Sequence, residues 1–257
     1  MSENTEIYKN GVLTVKVTSW DNFYNYTTAI REYKDYIWRG HSCSNWKLES
    51  KFDRVFQQTN DRKRSRLLAS HLHQFELAIR GRRGPNPPDL KDENELWALG
   101  QHYGLITPLL DWTQSPFVAA YFAFIEEKEP QTENRAIYAL NKDVVRWGQK
   151  EEGGKTPSKK FVEIVEPESD ENTRLISQAG ILTKVLVGSA DIKTLVQKCY
   201  RKHGERRIIL MEFTIPNTER SKCLQCLNLM NINHLTLFPD LYGASEFCNV
   251  RLKIKKY

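Results

Sequence analysis

The order of hydrophobic and polar residues predicts a chain in which strands and helices are mixed. Short runs of β-branched and aromatic residues predict strands, and a spacing of three to four residues predicts amphipathic helices. The clearest helix covers residues 61–79. Further helices are predicted at 19–33, 89–99, 115–124, 191–200 and 217–231, and strands at 11–20, 36–41, 105–112, 136–140, 174–187 and 208–216, with a short strand and turn at 234–243.

Residues 101–123, QHYGLITPLLDWTQSPFVAAYFA, are the stretch around which the chain is organised. A short apolar run interrupted by Pro108 predicts a strand, in which Asp111 points to the face opposite its two apolar neighbours. Ser115 and Pro116 then provide an N-cap and a first-turn proline for a helix. A polar turn of this kind either holds functional groups over a cleft or is an ordinary packed corner, and the spacing leaves both interpretations open.

Two charged residues stand out in the predicted strands. Arg39 precedes Gly40 at the end of a strand, where a guanidinium can bind a phosphate or a carboxylate through two hydrogen bonds and a glycine lets a ligand approach the backbone. The alternative is that Arg39 pairs with a structural carboxylate. Asp111, between two apolar residues, is expected to need a partner, because an unpaired carboxylate in an apolar setting costs several kcal/mol.

Composition excludes several classes of protein. With 40% hydrophobic and 27% charged residues, the 257-residue chain is expected to fold into a globular domain. No apolar run approaches the roughly 20 residues of a membrane span, and the first residues lack a secretory signal pattern. Five cysteines with scattered spacing favour a reducing compartment, so cytoplasm is expected. The single CxxC motif, Cys223 to Cys226, predicts buried thiols and no metal site.

The distribution of charge is uneven, within a formal net charge of +6. Residues 51–84 contain nine Lys and Arg against three Asp and Glu, and residues 85–135 reverse these numbers. Basic clusters of this kind attract phosphate backbones, so nucleic acid is one possible partner. An acidic antitoxin-like protein would satisfy the same charges, as would solvent around a helix face. The clusters lie at 62–66 and 80–83, with further pairs at 201–202 and 206–207.

Three motifs together resemble the FRG-domain family, which is named for its aromatic-Arg-Gly motif. They are YIWRG at 36–40, the QHYGL, LLDWT and SP elements within 101–116, and LFPDL at 237–241. The resemblance spans about residues 15–247 and predicts one FRG domain over 1–257, with a flexible excursion at about 148–172. It also implies a bacterial setting near toxin–antitoxin and phage-defence genes. A further pattern typical of the family is formed by Asn172, Arg174, Gln178, Gly180 and Thr183.

A weaker resemblance links three short segments to ADP-ribosyltransferases, which bind NAD beside an aromatic-Arg-Gly strand. The segments are Arg39-Gly40, Thr113-Gln114-Ser115 and Gln178-Ala179-Gly180. This resemblance implies an α+β fold with an ADP-ribosyltransferase-like split β-sheet core and additional helices, and it implies NAD as substrate. The predicted catalytic residues are Arg39, Asp111, Gln178 and Glu246, and the predicted cofactor-binding residues are Arg39, Gly40, His102, Tyr103, Thr113, Ser115 and Tyr121.

The sequence departs from the transferase pattern at Gly180, where a catalytic glutamate is expected. Transfer of ADP-ribose passes through an oxocarbenium-like state, which needs a nearby carboxylate. Asp111, Glu246 or Asp240 would have to supply it from another position, with His102 or Tyr103 as groups that position a nucleophile. Without such a carboxylate the fold would bind a nucleotide and leave it intact.

The sequence therefore predicts transfer of ADP-ribose from NAD to a macromolecule, in a toxin or antiviral role. RNA is the favoured acceptor because of the basic clusters. The alternative is a non-catalytic nucleotide- or partner-binding module of a defence or toxin–antitoxin system. A nuclease ranks last, since the sequence has no paired-carboxylate metal motif. No membrane partner is expected.

Overall fold

The computed structural model describes most of the chain. The described residues are 4–30, 33–57, 59–127, 132–143, 161–167, 173–186, 191–200 and 208–257. The basic pairs at 201–202 and 206–207, Asn172 and most of the predicted excursion at 148–172 lie outside them.

Eight strands form a single mixed sheet in the described part of the chain. Their order is β1-β2-β8-β5-β3-β4-β7-β6. Neighbours pair antiparallel, except for the parallel pair of β2 and β8. The strands are β1 (Thr5–Lys9), β2 (Val12–Lys16), β3 (Tyr36–His41), β4 (Leu109–Thr113), β5 (Asn134–Asn141), β6 (Val162–Val165), β7 (Gly180–Val185) and β8 (Leu210–Pro216).

Ten α-helices accompany the sheet in the described residues, so the fold is mixed α and β, as the α+β prediction requires. Two short 3-10 turns, Tyr33–Asp35 and Asn217–Glu219, precede β3 and the eighth helix. The helices are α1 (Trp20–Thr28), α2 (Lys51–Val55), α3 (Asp61–Ala78), α4 (Glu93–His102), α5 (Pro116–Phe124), α6 (Thr173–Ser177), α7 (Ile192–Tyr200), α8 (Arg220–Leu229), α9 (His234–Leu237) and α10 (Leu241–Lys253).

The hydrophobic core occupies both faces of the sheet. On one face, residues of α1, α5 and α8 pack with β3, β5 and β8, and Phe23 and Phe124 are fully buried there. On the other face, α7 packs against β3, β4 and β5 through Ile192 and Val196. A third cluster joins α3 and α4 to β4 and β7. Strand β5 is buried along almost its whole length because both of its edges are paired and both of its faces are covered.

Local sequence signals explain where the central elements begin. The Ser115 hydroxyl accepts the backbone N–H of Val118, which starts α5 at Pro116 as predicted. The Ser19 side chain accepts the N–H of Asn22 and starts α1, although α1 ends five residues before the predicted limit. The helix predicted at 61–79 and the strand predicted at 36–41 are confirmed.

Three predictions of secondary structure are wrong in whole or in part. The first residues of the strand predicted at 174–187 form helix α6, and the strand itself is limited to Gly180–Val185. The segment 234–243, predicted as a strand and turn, forms α9 and the start of α10. The cause is a pair of N-caps: Asn233 forms a capping box with Thr236, and Asp240 accepts the N–H of Gly243. In addition, the last part of the predicted excursion contains strand β6, which pairs with β7.

Other sequence expectations concern membranes, thiols and metals. None of the described helices is long and apolar enough to cross a membrane. Cys223 is fully buried and Cys226 half-buried, and both are free thiols. Within the described ranges, no three His, Cys, Asp or Glu side chains are grouped closely enough to hold a metal ion.

Candidate functional site

The sheet is loosely joined at one place, between β3 and β4. Strand β3 pairs with β5 through six residue pairs, whereas it meets β4 through the single pair of Trp38 and Thr113. A cleft of about 430 Å³ opens there, which we call the β3/β4 cleft. It is lined by Trp38, Arg39, Gly40, His41, Ser42 and Trp46 at β3, Ala98, Gln101 and His102 of α4, Asp111, Trp112 and Thr113 of β4, Ala119, Phe122 and Glu126 at α5, Arg174, Leu175 and Gln178 at α6, Leu182 of β7, and Phe238.

Arg39 is fixed at the edge of β3 that faces the cleft. Its Nε donates to Nε2 of His41 at 2.9 Å, and its Nη1 donates to the backbone carbonyl of Asp111 at 2.5 Å. The Asp111 carboxylate lies farther away, at 4.0 Å from Nη1. Burial lowers the pKa of Arg39 from its ordinary value, while the charge of Asp111 raises it. Among the described residues Nη2 has no hydrogen-bond partner, which leaves it available to a ligand.

His41 supports Arg39 as a neutral base. It is 4% exposed, and its ring packs edge-on against Tyr138 and Trp46 at centroid distances of 5.2 and 6.0 Å. Burial, and then the charge of Arg39, lower the pKa of His41 well below its usual 6.5, against a backbone hydrogen bond at Trp46 that raises it. A neutral imidazole can accept the Arg39 N–H, whereas an imidazolium cannot.

Asp111 lies on the face opposite its buried neighbours, as the alternation predicts, but its side chain is 64% exposed. The expectation of a carboxylate in an apolar setting is therefore wrong. Its Oδ1 accepts a hydrogen bond from Nε2 of Gln101 at 2.6 Å. The side-chain oxygen of Gln101 in turn accepts a hydrogen bond from the Thr107 hydroxyl. The carboxylate thus connects α4 to β4, next to Arg39.

Gly40 lines the cleft, but its lack of a side chain serves packing. A Cβ atom at position 40 would lie 1.9 Å from the carbonyl oxygen of Ala119 and 2.6 Å from the backbone nitrogen of Ala123. Glycine is therefore required because α5 crosses β3 in direct backbone contact, and the prediction that it admits a ligand is not needed to explain it.

Gly180 is also enclosed. A Cβ atom there would lie 2.4 Å from Cδ1 of Leu175 and 3.0 Å from its carbonyl oxygen. The backbone around it is tied to β4, because the Thr113 hydroxyl donates to the Gln178 carbonyl at 2.7 Å and the Gln114 N–H donates to the Ala179 carbonyl at 2.9 Å. A side chain at position 180 would therefore require Leu175 to shift.

Arg174 and Gln178 form the far wall of the cleft. Arg174 donates from Nε and Nη2 to Oδ2 of Asp240, at 3.1 and 2.5 Å, and its guanidinium lies 5.5 Å from the ring centre of Phe238. Gln178 donates to the carbonyl of Leu237 at 3.2 Å. The hydrogen bond from Arg174, followed by that from Gly243, lowers the pKa of Asp240 below its usual 3.8. Asp240 is therefore engaged by a cation and by the N-terminus of α10.

Four predicted residues do not line the cleft. Tyr121 is fully buried, and its hydroxyl shares a hydrogen bond with Nδ1 of His234 at 2.6 Å. Ser115 caps α5, and Tyr103 is 73% exposed beside the cleft residue His102. Glu246 lies on α10, where Asn249 donates to it at 3.0 Å.

The sequence analysis missed several residues of the cleft. Two of them carry signals that were present in the sequence: His41 shares a strand face with Arg39, and Glu126 follows Phe122 at the four-residue spacing of a helix face. The missed residues include His41, Ser42, Trp46, Phe122 and Glu126.

Comparison with known families identifies the part of the chain that builds the cleft. A family model described as FRG domain matches residues 34–132. Residues 34–132 are therefore similar to an FRG domain. The FRG match covers the motifs at 36–40 and 101–116, and therefore β3, β4, α4 and α5 of the cleft, whereas LFPDL at 237–241 lies beyond it. No curated protein and no solved structure matches the chain significantly.

Proposed function

We propose that this protein binds NAD in the β3/β4 cleft and transfers ADP-ribose to a macromolecule, as an ADP-ribosyltransferase-like toxin or antiviral effector. The proposal rests on the hydrogen bonds of Arg39. Two of its nitrogen atoms are held by His41 and by the Asp111 carbonyl, and Nη2 is left for a ligand at the point where β3 and β4 separate. A guanidinium fixed in this way suits a diphosphate.

The other groups of the cleft also fit a dinucleotide. Its volume of about 430 Å³ lies in the range of small-molecule sites. Arg39 provides a cation for the phosphates, and Trp46 and Phe238 provide exposed or half-buried rings on which bases can stack. The split between β3 and β4 supports the transferase-like architecture that the motifs suggest.

RNA is the favoured acceptor because of exposed cations on and after α3. One member of the predicted basic cluster is not among them. Arg64 is buried, donates from Nε to Asp53 at 2.8 Å and lies over the ring of Phe52, so it holds α3 to α2. The exposed cations are Arg62, Lys63, Arg66, Arg80 and Arg82.

The second candidate is a non-catalytic nucleotide- or partner-binding module. Gly180 favours it, because a glycine at the start of β7 supplies no carboxylate for a transferase. An acidic antitoxin-like protein remains the alternative partner of the exposed arginines.

Two measurements on the purified protein separate these functions. Calorimetry with NAD tests binding, and labelled NAD with RNA, DNA or cell lysate tests transfer. Binding with release of nicotinamide and labelling of RNA supports the transferase. Binding without release supports the module, and the absence of binding contradicts both nucleotide functions.

The acceptor is tested with a triple charge reversal, Arg62→Glu, Arg66→Glu and Arg82→Glu. We expect weaker RNA binding and a smaller salt dependence, because each cation that contacts a phosphate releases about one counterion. The matched control reverses Lys16, Lys255 and Lys256, which are also exposed and give the same net charge. Equal RNA affinity in the two triple variants would remove the reason for preferring a nucleic acid.

A further inference from the structure

The β3/β4 cleft contains two carboxylates among the described residues, those of Asp111 and Glu126. They differ in their partners. The Asp111 carboxylate accepts a hydrogen bond from Gln101 and lies 4.0 Å from the Arg39 guanidinium. It therefore lies beside the cation that would hold the diphosphate, and not at the opposite end of a bound dinucleotide.

Glu126 is exposed at the end of the cleft and also has a cationic neighbour, because Nη2 of the buried Arg135 donates to its backbone carbonyl at 2.9 Å and its charge raises the pKa of Arg135. Its Oε2 accepts the hydroxyl of Ser42 at 2.8 Å, and within the part of the chain that the structure describes Oε1 has no hydrogen-bond partner. Ser42 is 6% exposed and directly follows β3, the strand that carries Arg39. One neutral hydrogen bond thus fixes the carboxylate relative to the guanidinium and leaves one oxygen for a ligand.

The surroundings of Glu126 are suited to the cationic end of NAD. Phe122 lies four residues before it, near the end of α5, and both residues line the cleft. NAD has a positively charged nicotinamide ring at one end and a negatively charged diphosphate in the middle. A carboxylate beside an aromatic ring attracts the cationic ring, while Arg39 attracts the diphosphate.

We infer that Glu126, held by Ser42, is the carboxylate that faces the nicotinamide ribose and replaces the glutamate missing at Gly180. This inference rests on the proposed function. In the transfer step the bond between ribose C1′ and the nicotinamide nitrogen breaks, and its electron pair leaves with neutral nicotinamide. A lone pair of the acceptor forms the new bond to C1′, and the acceptor proton passes to Glu126 and then to solvent. Before that transfer, the carboxylate stabilises the oxocarbenium-like state.

The test compares Glu126→Gln with Glu127→Gln. Glu127 is the adjacent exposed carboxylate, paired with Lys253 at 2.7 Å and absent from the cleft lining, so it serves as the matched control. Affinities for NAD and for NADH, whose dihydronicotinamide ring is neutral, are measured by calorimetry, and nicotinamide release is measured in parallel. Thermal melting confirms that each variant is folded.

We expect Glu126→Gln to lower the preference for NAD over NADH by about fivefold, as for a partly exposed charge pair. Turnover should fall by about 100-fold or more, as for loss of a general acid–base group. Ser42→Ala should lower kcat with little change in KM, because it releases the carboxylate without removing it. Glu127→Gln should change none of these values.

The outcomes distinguish this inference from the proposed function. If Glu126→Gln keeps both the NAD preference and the turnover of the wild type, Glu126 does not face the ribose, while the transferase proposal stands. If the wild type binds NAD without turnover, the transferase proposal fails, and the change in NAD preference alone decides the position of Glu126. If the wild type binds neither nucleotide, both proposals are wrong.

Discussion

The two edges of strand β3 differ in almost every respect. On the β5 side, six consecutive residue pairs form a regular ladder, and on the adjoining face of the sheet Gly40 allows α5 to lie directly on the strand. On the β4 side, one pair remains, and polar groups take the place of the ladder: Arg39 donates to a β4 carbonyl with its side chain.

This difference shows how one strand can serve both stability and binding. Backbone groups that leave a ladder must find other partners, because an unpaired buried N–H or C=O group is costly. At the open edge, the Asp111 carbonyl accepts a hydrogen bond from the Arg39 guanidinium, which still has Nη2 free among the described residues. We therefore expect changes on the β5 side to affect stability and changes on the β4 side to affect ligands.

The largest effect is expected for Gly40→Ala. The added Cβ would lie 1.9 Å from a backbone oxygen of α5, which cannot move without repacking the core. We expect a loss of more than about 3 kcal/mol in the free energy of unfolding, measured by urea denaturation. Gly104→Ala is the control: its φ is +89° but a Cβ meets nothing within 4 Å, so about 1 kcal/mol is expected. Similar losses in both variants would contradict the close approach of α5.

Next in size is Arg39→Ala, which tests the open edge. Hydrogen bonds to charged groups contribute about 1.5–3 kcal/mol, so NAD affinity should fall at least tenfold. The melting temperature should also fall by several degrees, because the side chain is mostly buried and its removal leaves His41 and the Asp111 carbonyl without their donor. Arg39→Lys should also weaken binding, since lysine lacks the planar fork. A large loss of stability with unchanged affinity would mean that Arg39 is structural.

A smaller loss of stability is expected when the pH is lowered. Because the pKa of His41 is lowered in the folded protein, the unfolded chain takes up a proton first as the pH falls through about 6.5. Stability is thus fully present above that pH and declines below it, by up to about 1.4 kcal/mol per pH unit for one group. His234, whose pKa burial also lowers, adds to the decline.

Urea denaturation at pH 7, 6 and 5 measures this decline. His41→Gln places an amide oxygen near the position of Nε2 and removes the titration, so its stability should depend less on pH. His73→Gln, at an exposed site beside Glu76, is the control and should behave as the wild type. An unchanged pH dependence in His41→Gln would show that His41 does not remain neutral in the folded state.

The smallest effect is expected for Asp111→Asn. The amide oxygen can still accept from Gln101, and the lost charge lies 4.0 Å from Arg39 in an exposed setting. Such pairs contribute about 0–1 kcal/mol, so NAD affinity and turnover should fall together by less than about fivefold. Loss of turnover with NAD binding retained would instead make Asp111 the catalytic carboxylate, in place of Glu126.

The sequence by itself determined the elements of the FRG region and the place of its main polar residues. Regular spacing identified β3, β4 and α5, because a strand repeats every two residues and a helix every 3.6, whatever lies around them. For the same reason, the face of β4 that presents Asp111 was predictable. The motif around Arg39 also indicated a strand end with a ligand-binding guanidinium, and that role stays a prediction.

Only the tertiary structure decided which of these residues meet. Arg64 looks like its neighbours in a basic cluster, and only the position of α2 brings Asp53 to it. At Gly180, where the motif predicts a glutamate, the side chain of Leu175 packs against the position that a Cβ atom would take. Glu126 is one of several acidic residues after α5, and the turn after β3 brings Ser42 to it. Each of these facts depends on contacts between distant segments, which local spacing does not encode.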